Sequence, residues 1–530
     1  MTEKLRRPYV HDQAAFEAFC SELVRAGFSP LPDANQAQWT GPLPEVLSDL
    51  TDADAMSVTI VDGWPAVAAK TAVPGLIADH VMPGTGYICL WADDDPGQLA
   101  GQTWEGLRGR LEQWAEGAKT AFGPEGGALD AWAMFEGLSP RRAEIDLPGL
   151  VGTNPRNGDV HVVHGKADVL LTLTRGPAAD HPLEGVVLYR SVVRQTPRTF
   201  DALLSCLTRR QRENLMHGVG RRAAVEEGMA SGGYDFAVLV WPKHGQFEAL
   251  VLSFSGDKDS LGAVPHIASP RDVASRLRRA GSDAAVLRTR RVLLVGVGAI
   301  GGQVALTLAS SGTGVLHLSD DDELRSVNLV RHVLPAHMVG YTKTSGLKVL
   351  IESASPWCEV TTRGALSANP EEVAEVVRGF DLVVDCTGMF ATTLAIAQAC
   401  AIEQVPLLTV ALFREGRAFR IRRQLTTDTP LGRRAPPEYP VIPAGEESGL
   451  TGFLELGCTS PVHNSPPAAV TRAAADTALA AVAILAGRSR DAEDTVTVLV
   501  ALDAEPFDRP GTYGFPAAPG KAPVAEVIDE

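Results

Sequence analysis

Hydrophobic positions along this chain follow different periods in different regions. Residues 14–26, "AAFEAFCSELVRA", place Phe16, Phe19, Cys20, Leu23 and Val24 on one helical face, and Gly27 stops the helix. Short alternating runs follow at 55–68 and at "GYICLW", 86–91. "TWEGLRGRLEQWAEGA" (103–118) returns to helical spacing. Residues 1–140 therefore predict an α+β domain: a helix, a few antiparallel strands, a loop bearing Cys89, and a second helix. Residues 141–268 mix strand runs such as "DVLLTLT" and "FAVLVWP" with the helix-like "FDALLSCLTRRQRENL". They show no catalytic pattern and read as a mixed α/β linker or scaffold domain.

From Arg291 the texture changes. "RRVLLVGVGAIGGQVALTLASSG" reads as a buried strand, a glycine turn and a helix. "TGVLHLSDDD", "FDLVVDCTG" and "VPLLTVAL" are further strands, with helical patterns at 371–378 and 391–403. This alternation predicts a doubly wound, Rossmann-like α/β sheet over 269–505. Residues 506–530 are rich in Pro and Gly and predict a loosely ordered tail.

Bulk properties narrow the classes. At 530 residues the chain exceeds what one core organises. A net charge of -16 argues against a nucleic-acid or anionic-membrane binder. The apolar run "ALAAVAILAG" (478–487) is short for a bilayer span, and the N-terminus has no signal-peptide pattern. Seven cysteines without a CxxC pair argue against a cysteine-rich zinc site or a disulfide framework, and fit a reducing cytoplasm.

"GVGAIG" supplies Gly296, Gly298 and Gly301 between a strand and a helix. The first glycine suits a tight turn, the second a close approach of phosphate, the third helix-on-strand packing. By itself this leaves NAD, FAD and ATP open. Asp320 and Asp322 close the next strand, where an acid can take a ribose hydroxyl. Downstream come Asn328-Leu329-Val330-Arg331 and Val339-Gly340-Tyr341-Thr342-Lys343. With the glycine turn and Asp320-x-Asp322, these resemble the ThiF/MoeB/ubiquitin-activating-enzyme superfamily over roughly 270–490.

The resemblance implies ATP and Mg2+ as cofactors, with Asp322 on the ribose and Asn328, Arg331 and Lys343 on the phosphates. Cations there suit a carboxylate attacking an α-phosphate; a dehydrogenase has no use for them. Two positions depart from the family pattern. His332 replaces a frequent Gln, and "DCTGM" puts Gly388 where the family has a magnesium-binding Asp, leaving Asp385 as the candidate metal ligand. A further phosphate arginine is expected among Arg271, Arg276, Arg278 and Arg279.

Two cysteines complete the reading. "ELGCTSPVHNSPP" (455–467) resembles the neighbourhood of the thioester cysteine in ubiquitin-like activating enzymes, which implies a catalytic Cys458. "HVMPGTGYICLW" (80–91) resembles the active-site stretch of ubiquitin-conjugating enzymes, with His80, Gly86 and Ile88-Cys89-Leu90 matching and Val81-Met82 replacing the family's Pro-Asn. That implies a catalytic Cys89. Cys358, Cys386 and Cys400 fall in strand or helix patterns and read as packing. The whole chain resembles the bacterial fusions of conjugating-like and activating-like domains in CBASS antiphage operons. It implies a protein substrate with a C-terminal glycine, either a cGAS/DncV-like nucleotidyltransferase or a ubiquitin-like protein. A target amine, a homodimer and a cytoplasmic location are expected, with no nucleic acid and no membrane. A ThiF/MoeB-like sulfur-carrier adenylyltransferase and a binding scaffold with a degenerate ATP site are the alternatives.

Overall fold

A computed structural model of the chain describes residues 8–32, 35–82, 85–92, 95–120, 122, 142–152, 157–164, 170–175, 183–193, 196–225, 230–243, 246–257, 259–434, 453–455, 460–462, 465–489, 492–503 and 505–516. Two compact units divide after Asp272.

The first unit begins with α1 (Gln13–Arg25), capped by the Asp12 carboxylate accepting from Ala15 N–H at 2.9 Å. Phe16, Phe19, Cys20 and Leu23 are buried, whereas Val24, expected on the same face, is 58% exposed. A residue one step beyond Leu23 is rotated about 100° from it and falls on the solvent flank. Strands β1 (Ser29–Pro30), β2 (Gln38–Pro42), β3 (Ala55–Thr59), β4 (Lys70–Ala72) and β5 (Tyr87–Ile88) form an antiparallel meander in chain order. Helix α2 (Trp104–Thr120) adds Leu107, Leu111, Trp114 and Ala115 to the core that α1 shares with Trp64 and Ile88.

A closed barrel follows. Its strands are β6 (Arg142–Ile145), β7 (Gly158–His164), β8 (Leu170–Arg175), β9 (Glu184–Tyr189), β10 (Tyr234–Lys243), β11 (Gln246–Ser255) and β12 (Gly262–Pro270). The order is β10-β11-β12-β6-β8-β7-β9, and a parallel β9–β10 pairing closes it. Alternation along β10 builds two cores. Ala237, Leu239 and Trp241 pack with Phe200, Leu203, Leu215 and Val219; Phe236, Val238 and Val240 pack with Ile145, Leu147 and Leu150.

The single helix expected from "FDALLSCLTRRQRENL" is two, and α3 (Leu147–Val151) precedes them. Helices α4 (Phe200–Cys206) and α5 (Arg209–Val219) are separated by an extended Leu207 and by Thr208, which caps α5 in a capping box with Gln211. Under the barrel wall, Arg222 and Asp235 form an ion pair at 3.0 Å with side chains 0% and 5% exposed. Arg222 also donates to the Tyr234 and Phe254 carbonyls.

The second unit opens with α6 (Val273–Leu277) and α7 (Ala284–Leu287). Its sheet contains β13 (Arg291–Val295), β14 (Val315–Ser319), β15 (Glu359–Arg363), β16 (Leu382–Asp385) and β17 (Leu407–Phe413) in the parallel order β15-β14-β13-β16-β17. Antiparallel β18 (Ala418–Gln424) extends it; β19 (Phe453–Glu455) and β20 (Ser460–Val462) pair separately. Helices α8 (Ala299–Ser310), α9 (Lys343–Ala354) and α12 (Pro467–Leu485) share one core; α10 (Pro370–Val377) and α11 (Phe390–Glu403) share another.

The alternation read from Arg291 onward thus gives the doubly wound, Rossmann-like sheet. Helix α12 is long and apolar enough to cross a membrane, but here Val470, Ala473, Ala474, Ala478, Ala481 and Leu485 are buried in the domain core. The loose tail expected from 506 is corrected over its described part. Strand β22 (Gly511–Phe515) pairs with β21 (Asp494–Val498), because Phe507 is fully buried against Tyr513 and Phe515.

Removing one partner of a buried ion pair leaves an uncompensated charge, at a cost of about 3–5 kcal/mol. Asp235→Ala should therefore lower the opening free energy of the β10 amides by that order, as measured by native-state hydrogen exchange on the full chain.

Candidate nucleotide site

Strand order reverses between β13 and β16, so their carboxyl ends flank the crevice where doubly wound sheets bind ligands. Gly296 follows β13 at φ +77°, and a Cβ there would lie 2.9 Å from Thr387 N. Only glycine meets both conditions. A Cβ on Gly301 would lie 1.9 Å from the Gly296 carbonyl oxygen, which fixes the packing of α8 on the turn. Around Gly298 a Cβ would meet nothing within 4 Å, so this is the open side of the turn.

Asp320 ties the turn to the end of β14. One carboxylate oxygen accepts from Val297 N–H at 2.7 Å, the other from Asp322 N–H at 2.8 Å. Asp322 is left with its side chain 64% exposed, 2.5 Å from the Nζ of Lys343. Lys343 opens α9 and is otherwise buried; its backbone N–H donates to the Asp322 carbonyl at 2.9 Å. The acid and the cation that the family resemblance singles out are thus in direct contact.

Asn328 and Arg331 sit on the intervening segment. The Asn328 side-chain oxygen accepts from Arg325 N–H at 2.9 Å, and an Arg331 Nη donates to the Ser465 carbonyl at 3.5 Å, linking this segment to the start of α12. His332 is buried and pairs with the Val297 carbonyl at 2.9 Å through Nε2, while its Nδ1 accepts from Leu334 N–H at 3.2 Å. That pattern requires the neutral Nε2–H tautomer. Burial pushes its pKa down, against the pull of the Val297 carbonyl, and Lys343 adds to the depression. His332 was noted from sequence as a substitution; its clasp on the glycine turn needed the structure.

Asp385, the expected magnesium ligand, is engaged within its own turn. One oxygen accepts from Thr387 N–H at 2.9 Å and from Thr387 Oγ1 at 2.7 Å; the other accepts from Thr393 Oγ1 at 2.5 Å. Three of about four lone-pair positions are thereby used. The residue is 1% exposed, and burial pushes its pKa up while the threonine bonds oppose the shift. Asp385 shapes the turn after β16 instead, and Gly388 brings no carboxylate.

Among the candidate phosphate arginines, Arg276 stacks on Trp357 at 5.1 Å and donates to the Ala354 carbonyl, and Arg278 donates to Ser275 Oγ at 3.3 Å. Arg271 lies 3.9 Å from Glu144.

Cys458 lies outside the described residues. Cys89 is half-buried at the end of β5, in the other unit. Burial pushes the thiols of Cys358 and Cys400 up to about 12 and that of Cys386 well up, which removes them as thiolates at neutral pH.

The fold and crevice define a doubly wound domain whose mouth carries an acid, a lysine and an arginine. Residues 273–486 match the ThiF family, and this part of the chain is a ThiF/MoeB-family adenylation domain. The Drosophila virilis protein named adenylyltransferase and sulfurtransferase MOCS3 is 32% identical over 166 residues, covering 30% of this chain and 34% of that protein. Its Drosophila sechellia counterpart is 30% identical over 141 residues, covering 26% of this chain and 30% of that protein. The chain thus spans about a third of the curated relatives it matches. Among solved structures, E. coli MccB with ATP is similar over 47% of this chain and 71% of that chain, with 18% identity and a TM-score of 0.36. For PaaA the figures are 44% and 66%, with 17% identity and a TM-score of 0.35.

If Asp385 shapes the turn rather than holding a metal, Asp385→Asn should weaken ATP binding about 10-fold, the value of one or two such hydrogen bonds. The Mg2+ concentration for half-maximal ATP binding should stay unchanged in a calorimetric titration. A shift in that concentration would return the metal to Asp385.

Proposed function

We propose that this chain uses ATP to activate the C-terminal glycine of a protein and conjugates it to a target amine. The observation that carries this reading is the Asp322–Lys343 pair at the open side of the glycine turn. Asp322 is free to exchange this contact for the ribose hydroxyls, releasing Lys343 to the phosphates. Lys343 and Arg331, with Asn328 donating from its amide, then offset charge that builds as the substrate carboxylate attacks the α-phosphate and pyrophosphate leaves. The Cys458 thiolate displaces AMP to form a thioester, Cys89 receives the acyl group, and an amine takes it.

The N-terminal unit supports the second half of this sequence. Its helix, antiparallel meander, half-buried cysteine after a tight turn and following helix stand in the order expected of a conjugating-enzyme-like domain. On this reading the substrate is a cGAS/DncV-like nucleotidyltransferase or a ubiquitin-like protein. The setting is cytoplasmic antiphage defence, and a homodimer forms through residues from about 270 onward. Among the described residues, Asp320, Asp321 and Asp322 bring three carboxylates within 4.8 Å of one another, a set that could hold Mg2+, and no step is assigned to the ion.

A second reading has comparable support. The MOCS3 relatives are named as adenylyltransferases and sulfurtransferases, and a sulfur-carrier adenylyltransferase would use the same crevice without Cys89.

Pyrophosphate exchange that depends on a protein ending in glycine should be present in the wild type and fall about 10²–10³-fold in Lys343→Ala, the usual loss for one preorganised charge. Wild-type exchange in that variant would overturn the adenylation reading. Trapping should show two reductant-sensitive adducts: Cys458→Ala removes both, and Cys89→Ala keeps the first but stops conjugation. Persistence of product without Cys89, or formation of a thiocarboxylate, would favour the sulfur-carrier reading. Light scattering should report a dimer at micromolar concentration.

A further inference from the structure

The thiol segment is gripped from outside its own sheet. Cys89 N–H donates to the His80 carbonyl at 2.7 Å, and Val81 bridges Ile88. Between the two runs Met82 N–H donates to the Tyr87 carbonyl at 2.8 Å, Gly86 N–H donates to the Met82 carbonyl at 2.9 Å, and Gly86 stands at φ +69°. His80 itself stands at φ +61°, a region that disfavours side chains, so this short ladder is held in place by its surroundings.

Two arginines supply the hold. From α2, Arg110 Nε donates to the Leu90 carbonyl at 2.6 Å, and its guanidinium lies 5.9 Å over the Trp91 ring. On the other side, Arg198 Nη donates to the Val81 carbonyl at 2.9 Å. Arg198 comes from the barrel part of the unit, next to Thr199, which caps α4. Burial of this guanidinium disfavours its charge, and nearby Asp79 partly restores it. A half-buried guanidinium spent on one backbone carbonyl is a costly way to stabilise a surface turn. It is an economical way to fix where that turn points.

We propose that Arg198 is a positioning residue for Cys89, holding the thiol segment in the bearing that acyl transfer requires, with Arg110 as its counterpart on the Leu90 side. This rests on the reading of Cys89 as acyl acceptor. In the step concerned, the Cys89 thiolate sulfur attacks the thioester carbonyl carbon. A new C–S bond forms, the bond to the first cysteine breaks, and that sulfur leaves as thiolate with no net proton change.

The test is single-turnover transfer from the preformed Cys458 thioester to Cys89, on the full chain. Arg198→Met should lower the transfer rate constant by roughly 10–100-fold, the size expected for a small misplacement of a reacting group. Pyrophosphate exchange, including its KM for the glycine-ending protein, and the melting temperature should stay at wild-type values. Arg198→Lys, which keeps a donor and the charge, should recover most of the rate, and Arg209→Met, an exposed control on α5, should match the wild type. Wild-type transfer in Arg198→Met, or a raised KM with an unchanged rate constant, would overturn the proposal. Should Arg198→Met not fold, Arg198→Lys and Arg198→Gln carry the comparison, and equal rates for the two overturn it. Absence of any wild-type adduct at Cys89 would sink the acceptor reading instead. Iodoacetamide alkylation of Cys89 then still reads its placement: a slower reaction in Arg198→Met sustains Arg198's hold, and an equal one removes it.

Discussion

The Asp320 carboxylate is the contact on which the nucleotide crevice depends. It receives backbone N–H groups from the glycine turn and from the end of the neighbouring strand, so the turn and the end of β14 are tied together. Everything useful at the mouth follows from that link. Asp322 is turned outward because its own N–H is engaged by Asp320, and Lys343 reaches it because α9 begins where the backbone returns to Asp322. His332 adds a second tie from the far side by holding the Val297 carbonyl. The ring donates to that carbonyl in either protonation state; the neutral form, favoured by burial, also leaves Nδ1 able to accept from Leu334 N–H.

The opposite border is built differently. Asp385 lies at the end of β16 with its charge enclosed by two threonines and one backbone N–H. Such a carboxylate organises a turn well and coordinates a cation poorly, because its lone pairs are committed and its charge is already disfavoured by burial. Gly388 follows at φ +65°, where a glycine is favoured on conformational grounds alone. The charges at the mouth therefore come from Asp322, Lys343 and Arg331, and Asp385 adds no exposed carboxylate from the other border.

In the first unit the same principle works through cations. Backbone carbonyls beside Cys89 are held by Arg110 and Arg198, one from the adjacent helix and one from the barrel. A thiol at the end of a two-residue strand has few ladder bonds to fix it, so side chains from other elements take over that task.

Much of the adenylation domain was legible in the sequence because its signals are local. A parallel strand buried on both faces reads as a continuous apolar run, and a glycine turn is needed wherever the backbone must reverse tightly against β16. Asp322, Asn328, Arg331 and Lys343 are singled out through the family resemblance, and all four fall between the end of β14 and the first residue of α9. Where sequence reasoning erred, the deciding contacts were distant. Val24 matched the helical stripe but lies at its solvent edge. Phe507 anchors what reads as a Pro- and Gly-rich tail, because β21 offers it an edge to complete. At Asp385 the sequence offers a carboxylate, and only the fold shows Thr387 and Thr393 donating to it. Arg198 stands 117 residues from the carbonyl it holds. The sequence by itself determined the strands, the glycine turn and the charged residues of the crevice, since those follow from local period and spacing. Tertiary structure decided which side chains are spent on holding the backbone and which remain free for a ligand, because that depends on what each one meets across the fold.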